Sequence, residues 1–261
     1  MEVHHHTHSH EKKNWKAYFW EFLMLFLAVF CGFLAENLRE HLVEHQREKQ
    51  YMVTMLEDLK GDIPQLDSTI KEWNDVSKSI DSVTDAISFP INNVDLPKVY
   101  RHINEALNYW SFLPNDRTIT QLKNSGGFRL IQNKEVANKI IAYDQFNNNA
   151  ARNMEMQHNK FYENATALRS KILVEKIINS IYEKYEHLPP PATIDPWIDS
   201  LLDKNKPPLT EGDQARSLFE FKNSLIAFKR DYFSNVEWGY TQQKNMINEL
   251  IKLIQENYHL K

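Results

Sequence analysis

The chain has 261 residues, of which 42% are hydrophobic and 25% are charged, and its formal net charge is −4 at pH 7. This balance offers no basic footprint, so we expect no nucleic-acid partner. The single cysteine, Cys31, excludes disulfides and thiolate metal sites from the rest of the chain. With six glycines, the sequence also lacks both common types of glycine-rich phosphate loop.

The first element is a histidine-rich tail, which we assign to residues 1–14. Neutral imidazole binds Zn, Ni and Cu, so the tail is a candidate metal-binding segment. The alternative is a tail without a folded site, which becomes partly cationic near the ordinary imidazole pKa. We predict no other cofactor. The candidate ligands are His4, His5, His6, His8 and His10.

An apolar segment flanked by charge follows at residues 15–36. A bilayer core about 30 Å thick is crossed by roughly 20 helical residues, so this segment predicts a transmembrane helix. Glu21 lies one turn inside its boundary, where its carboxylate can reach the headgroups. The alternative is a cleaved secretory signal, which is disfavoured because a cut after Ala35 would place the large Phe33 where a small residue is preferred.

Charges around the span predict its orientation. Three lysines lie at positions 12–16, whereas the far edge mixes Arg39 with several acids. The positive-inside rule then places the N-terminus in the cytoplasm and the large domain on the other side of the membrane, for a single-pass protein. Within the span, Ala28 and Gly32 form a small-xxx-small pair that permits close helix approach. We therefore expect a homo-oligomer or a second membrane protein as partner.

The next region predicts a helical stalk at residues 37–60 and a helical bundle at residues 61–261. Apolar residues with steps of four and three indicate a coiled-coil-type seam. Pro64 lies inside this pattern, and because proline removes a helical hydrogen bond we expect a kink or short break there. The residues of the predicted seam are Met52, Leu56, Leu59, Ile63, Leu66, Ile70 and Trp73.

The remaining sequence predicts four further helices and a proline-rich loop at residues 188–208. The helices cover residues 96–112, 117–124, a long stretch from about Asn133, and 213–258, with a short helix at 197–202 inside the loop. Polar and small residues in the middle of the long helix indicate a less tightly packed seam. No segment predicts a convincing strand. The expected fold is all-α: one N-terminal transmembrane helix, then an antiparallel bundle of long helices with coiled-coil-like seams.

A small turn follows the second of these helices, at Ser125, Gly126 and Gly127, with Arg117 and Arg129 on either side. One interpretation is a helix C-cap that requires a positive φ. The alternative is an anion site formed by free backbone N–H groups. His102 and His158 lie near helix seams, where we interpret them as packing residues rather than ligands.

Two blocks of sequence stand out together. The first has Glu21, Asn37 and Glu40, then Leu56-Glu57-Asp58-Leu59-Lys60, Asp62-Ile63 and Leu66-Asp67. The second has Asn115-Asp116-Arg117-Thr118, then Gln121-Leu122-Lys123-Asn124-Ser125-Gly126-Gly127 and Leu130-Ile131-Gln132-Asn133-Lys134-Glu135. Both blocks resemble an uncharacterised family of bacterial single-span membrane proteins, which is described only as a domain of unknown function. The resemblance covers about residues 17–145 and implies a membrane-anchored helical protein, which with the predicted orientation would lie in the bacterial inner membrane with its large domain in the periplasm. It carries no catalytic residues over, because none are established for that family.

From these patterns we predict a membrane-anchored, non-enzymatic helical interaction or scaffold module with no catalytic residues. The absence of a recognisable catalytic motif and the long apolar seams favour this interpretation. The alternative is a metal-handling membrane protein that uses the histidine-rich tail.

Overall fold

A computed structural model describes residues 15–185, 196–205 and 212–260. The chain divides into two compact units, residues 1–51 and residues 52–261, and the division falls within the predicted stalk. The histidine-rich tail and much of the proline-rich loop lie outside the described residues.

The described ranges are all-helical, as the sequence predicts, with seven α-helices and no strand. Short 3₁₀ turns lie at Ile91–Asn93 and Gly127–Leu130. The α-helices are α1 (Trp15–Ala86), α2 (Leu96–Ala106), α3 (Arg117–Asn124), α4 (Lys134–Ile172), α5 (Glu175–Lys184), α6 (Pro196–Asn205) and α7 (Asp213–Tyr258).

In the first unit, α1 carries the long apolar segment. By length and composition it is the one helix among the described residues that could cross a membrane. Its most apolar 18-residue window has a mean hydropathy of 2.0 and is 0% buried. Leu25 is 70% exposed and Val29 is 74% exposed. The segment is therefore apolar without being the core of the protein.

In the second unit, α1 buries one continuous stripe with steps of three and four residues. Its members are Met52, Met55, Leu59, Asp62, Leu66, Thr69, Trp73, Val76, Ile80 and Val83, and the buried Ile87 continues the spacing just after the helix ends. The predicted seam was wrong at two positions: Ile63 and Ile70 are only half-buried, and Asp62 and Thr69 are buried in their place. A helix buries whatever its phase turns inward, and the phase set by the apolar residues before and after includes two polar ones.

Two predicted helix limits also differ. The expected break at Pro64 is absent, because α1 continues through it to Ala86. The helix predicted at residues 96–112 ends at Ala106. The chain then turns irregular, and the backbone oxygen of Trp110 accepts a hydrogen bond of 2.7 Å from the indole Nε1 of Trp73. A tertiary contact thus takes over where local periodicity indicated more helix.

The starts of α2 and α4 follow from capping side chains. The Asp95 carboxylate accepts from the backbone N–H of Lys98 at the start of α2. The Asn133 side chain accepts from the N–H groups of Glu135 and Val136 at the start of α4. Such caps satisfy N–H groups that have no partner inside the helix.

Helices α4 and α7 pack against each other in opposite directions. Lys139 pairs with Glu249 at 2.7 Å. Further along α4, the rings of Phe161 and Phe228 stack with centroids 3.7 Å apart. Residue numbers therefore rise along α4 as they fall along α7, which defines an antiparallel pair.

Candidate functional site

Two carboxylates one helical turn apart on α1, Asp58 and Asp62, are directed into the second unit. Asp58 is 6% exposed and Asp62 is 0% exposed. Ionised side chains are rarely buried this deeply unless they are paired or hydrogen-bonded. Their partners are Asn115 and Thr118, around the start of α3, and Tyr143 on α4. We call these five residues the carboxylate cluster.

The Asp62 carboxylate accepts three hydrogen bonds. The Asn115 backbone N–H and side-chain Nδ2 donate to Oδ1 at 2.8 and 2.7 Å. The Tyr143 hydroxyl donates to Oδ2 at 2.9 Å. Burial raises the pKa of Asp62, although the three donors act in the opposite direction. Burial, followed by the charge of Asp62, also raises the pKa of Tyr143, which keeps its hydroxyl a donor.

The Asp58 carboxylate caps α3 from another helix. It accepts from the Thr118 backbone N–H at 3.0 Å and from the Thr118 hydroxyl. The residue before α3, Asp116, makes no side-chain cap of its own. Negative charge near a helix N-terminus is favourable because the first N–H groups lack helical partners. Asp58 also pairs with the exposed guanidinium of Arg117 at 2.9 Å.

Gly61 allows this close approach. A Cβ placed on Gly61 would lie 3.2 Å from the Asn115 Nδ2, tighter than ordinary contact. The absence of a side chain at Gly61 therefore lets the loop before α3 lie against α1. The same Nδ2 also lies 3.4 Å from the Asp58 backbone oxygen.

A second polar contact joins α4 to α7 near the cluster. The Gln243 Nε2 donates to the Asn147 Oδ1 at 3.1 Å, and both residues are buried. The Gln243 Oε1 has no hydrogen-bond partner among the described residues. Because a buried unpaired oxygen is unfavourable, the Gln243 side chain is less fully satisfied than the Asp62 carboxylate.

Beside the cluster lies a cavity of about 250 Å³ between the start of α3 and α4. Lys123 and Asp144, which line it, form an ion pair of 2.7 Å. Within the cluster, donors and acceptors satisfy one another. The cluster therefore links α1 to the start of α3 and to α4 through hydrogen bonds.

The predicted turn motif forms a helix C-cap. Gly126 has φ 66, in the left-handed region that favours glycine. The Ser125 hydroxyl donates to the Gln121 backbone oxygen at 2.7 Å, and Gly127 begins the 3₁₀ turn. These features account for the turn by capping, while anion binding there stays a prediction.

His158 is a buried packing residue. Its Nε2 lies 3.3 Å from the Leu107 backbone oxygen, and its ring centroid lies 4.7 Å from that of Tyr109. Burial lowers the pKa of His158. It likewise lowers the pKa of the half-buried His102. Both rings are therefore biased towards the neutral form.

The other predicted site residues do not join this cluster. Ala28 and Gly32 are exposed on α1, and a Cβ on Gly32 would meet nothing within 4 Å. His4, His5, His6, His8 and His10 lie outside the described residues, so metal binding there stays a prediction. Among the residues that are described, no three His, Cys, Asp or Glu side chains are grouped to hold a metal ion.

Sequence reasoning missed Asp62, Asn115 and Tyr143 as a site. A signal was present, since Asp62 lies in the first block of the family resemblance and Asn115 opens the second. The structure brings these two blocks into direct contact. Tyr143 lies on the long helix predicted from about Asn133, and its spacing with the apolar residues there indicates only packing.

No protein-family model, curated protein or solved structure was found to match this chain. The resemblance to the bacterial single-span family therefore stays a prediction that rests on the two blocks.

Proposed function

We propose that this chain is a membrane-anchored, non-enzymatic helical module for interaction or scaffolding, in which one apolar helix holds a folded helical unit at a bilayer. The observation that supports it best is the 18-residue apolar window of α1, which is 0% buried. Large apolar patches are rarely left in water by soluble monomers. A bilayer would cover this one around its whole circumference.

The second unit supports the interaction role through its build. Its long helices expose charged faces and bury a regular stripe, which suits a bundle with coiled-coil-like seams. In the carboxylate cluster the polar groups are occupied by each other, as in a rigid scaffold. A rigid helical surface could present side chains to a partner without chemical conversion.

The proposal extends to location and association. The lysines before the span favour a cytoplasmic N-terminus and a periplasmic second unit in a bacterial inner membrane. Ala28 and Gly32 lie on one face of the helix and both are exposed, which suits self-association or pairing with another membrane protein.

The anchor is tested by extraction of membranes at alkaline pH. We expect the full chain to stay with the membrane pellet. A variant with Leu25→Arg and Val29→Asp, which places two charges in mid-span, should move to the supernatant. The matched control Leu25→Ala with Val29→Ala should stay in the pellet. Release of the unaltered chain would contradict the anchor.

Association is tested by crosslinking in native membranes, followed by identification of the crosslinked chains. We expect a dimer or a complex with another membrane protein, reduced by Ala28→Ile with Gly32→Ile. The control Leu27→Ile adds no bulk and should leave the products unchanged. A strictly monomeric chain in every sample would contradict the interaction role.

A further inference from the structure

A second cavity opens between α4 and α7, away from the carboxylate cluster, with a volume of about 250 Å³. This is slightly below the range usual for small-molecule sites, about 300–1,000 Å³. Its lining combines one indole, one phenyl ring, three carboxamides and three apolar or small residues, with no ionisable side chain. The lining residues are Phe146, Asn149, Ala150, Asn153, Met154, Gln157, Trp238 and Gly239.

Small residues create this space. Gly239 lies inside α7, where glycine is less favourable than alanine by about 1 kcal/mol. A Cβ on Gly239 would lie 3.0 Å from the Met154 Cε, so a larger residue would push Met154 aside. Ala150 is the small residue on the facing helix. The two helices thus stay in contact around the cavity without filling it.

The walls present polar and aromatic groups in a regular order. Asn149, Asn153 and Gln157 follow one another at four-residue steps on α4, so about 6 Å of helix separates successive carboxamides. All three residues are exposed, and their side chains make no hydrogen bond with another described residue. Across from them, Trp238 is 62% exposed. A large indole left this open has apolar surface available to a ligand.

We propose that this cavity is a binding site for a neutral saccharide. A sugar ring has a C–H face, which suits the flat indole of Trp238, and a rim of hydroxyls that both donate and accept hydrogen bonds. A carboxamide also donates and accepts, so Asn149 and Asn153 match that rim. The uncharged lining gives no partner to a carboxylate or phosphate. Saccharide binding at this cavity does not depend on the membrane anchor.

The test uses the full chain in phospholipid nanodiscs, because sugar-based detergents would compete for the site. The probes are cellobiose, N,N′-diacetylchitobiose, glucuronic acid and an end-capped alanine tripeptide. Binding of each probe is measured by saturation-transfer NMR and by calorimetric titration. We expect at least one of the neutral disaccharides to bind. Glucuronic acid and the peptide should bind at least tenfold more weakly.

Variants assign the binding to this cavity. Trp238→Ala should weaken binding at least tenfold, and Asn153→Ala about three- to tenfold. Gly239→Val should abolish it by displacing Met154 into the space. The controls are Phe219→Ala, an exposed aromatic elsewhere on α7, and Gln145→Ala, an exposed carboxamide of α4 outside the lining. Neither should change affinity by more than about twofold.

The proposal is overturned if neither disaccharide binds at 20 mM, if the tripeptide or the uronic acid binds as tightly as the sugars, or if the cavity variants bind like their controls. Helical circular dichroism accompanies each variant. If Trp238→Ala loses helicity, Trp238→Leu with Asn149→Ala takes its place, with the same expected loss of binding.

Discussion

The Asp62 carboxylate offers the sharpest test of how the second unit is held together. We consider Asp62→Asn, which keeps the shape of the side chain and removes its charge. The matched control is Asp67→Asn on the same helix, where an exposed carboxylate pairs with Lys244 at 2.6 Å. Both changes remove one negative charge from α1, but only one removes a buried acceptor.

The magnitude follows from the three hydrogen bonds of Asp62. An amide oxygen can still accept from the two Asn115 donors, but these bonds become neutral, which costs about 1 kcal/mol each. The new NH₂ group faces the Tyr143 hydroxyl, which loses its acceptor at a cost of about 1–3 kcal/mol. Removing a buried charge returns part of this, because burial disfavours the ionised form. The net loss should be about 2–3 kcal/mol.

The control should lose far less. Exposed ion pairs contribute about 0–1 kcal/mol, so Asp67→Asn should cost about 0.5 kcal/mol or less. In a unit of this size, 1 kcal/mol shifts the Tm by about 2–4 °C. We therefore expect Asp62→Asn to lower the Tm by about 4–12 °C, and Asp67→Asn by about 2 °C or less.

The assay is thermal and urea unfolding of the full chain in nanodiscs, and unfolding is monitored by tryptophan fluorescence and by circular dichroism of the helices. Tyr143→Phe, made in the unaltered chain and in Asp62→Asn, completes a double-mutant cycle. The coupling between positions 62 and 143 should be about 1 kcal/mol or more, because they share a buried hydrogen bond. Equal small losses for Asp62→Asn and Asp67→Asn, with no coupling, would refute the reasoning.

Three further predictions concern single side chains. Burial lowers the pKa of His158, so the unfolded chain binds a proton at a higher pH than the folded chain does, and stability should be complete above about pH 6.5 and fall as the pH falls. His158→Phe should therefore flatten the dependence of Tm on pH from 7.5 to 5.5. Parallel curves for the variant and the unaltered chain would contradict this. Gly126→Ala places a side chain at a φ of 66° and should lower the free energy of unfolding in urea by about 1–2 kcal/mol, whereas Gly126→Asn should lower it less. An equal loss for both variants would count against a left-handed cap. Trp73→Phe removes the hydrogen bond to the Trp110 backbone oxygen and should lower the free energy of unfolding by about 1–3 kcal/mol. An unchanged urea midpoint would show that this hydrogen bond does not hold the segment after α2 in place.

Much of the helical framework could be predicted from local chemistry. Asp95 and Asn133 marked the starts of α2 and α4 because their side chains cap free N–H groups. Gly126 marked the end of α3 because only a few residue types tolerate a positive φ. The apolar window of α1 likewise identified its helix through composition alone.

The candidate site could not be predicted, because its partners are distant in sequence. Asp62 and Asn115 are separated by 53 positions, and Asp62 and Tyr143 by 81. Periodicity assigned Ile63 to the seam because it weighs apolar character, whereas the helix phase buries Asp62. Only the tertiary donors from Asn115 and Tyr143 make that burial tolerable. Ala106 similarly ends α2 because of contacts that no local pattern contains.

The central claim, that the apolar segment of α1 lies in lipid, is tested most directly at Cys31, the single cysteine of the chain. A nitroxide spin label on Cys31 reports collisions with oxygen, which concentrates in lipid, and with a polar nickel chelate, which stays in water. The account predicts strong oxygen and weak nickel relaxation in liposomes, with the reverse for a label on Cys31→Ser, Glu44→Cys. Relaxation of the Cys31 label mainly by the nickel chelate would contradict it.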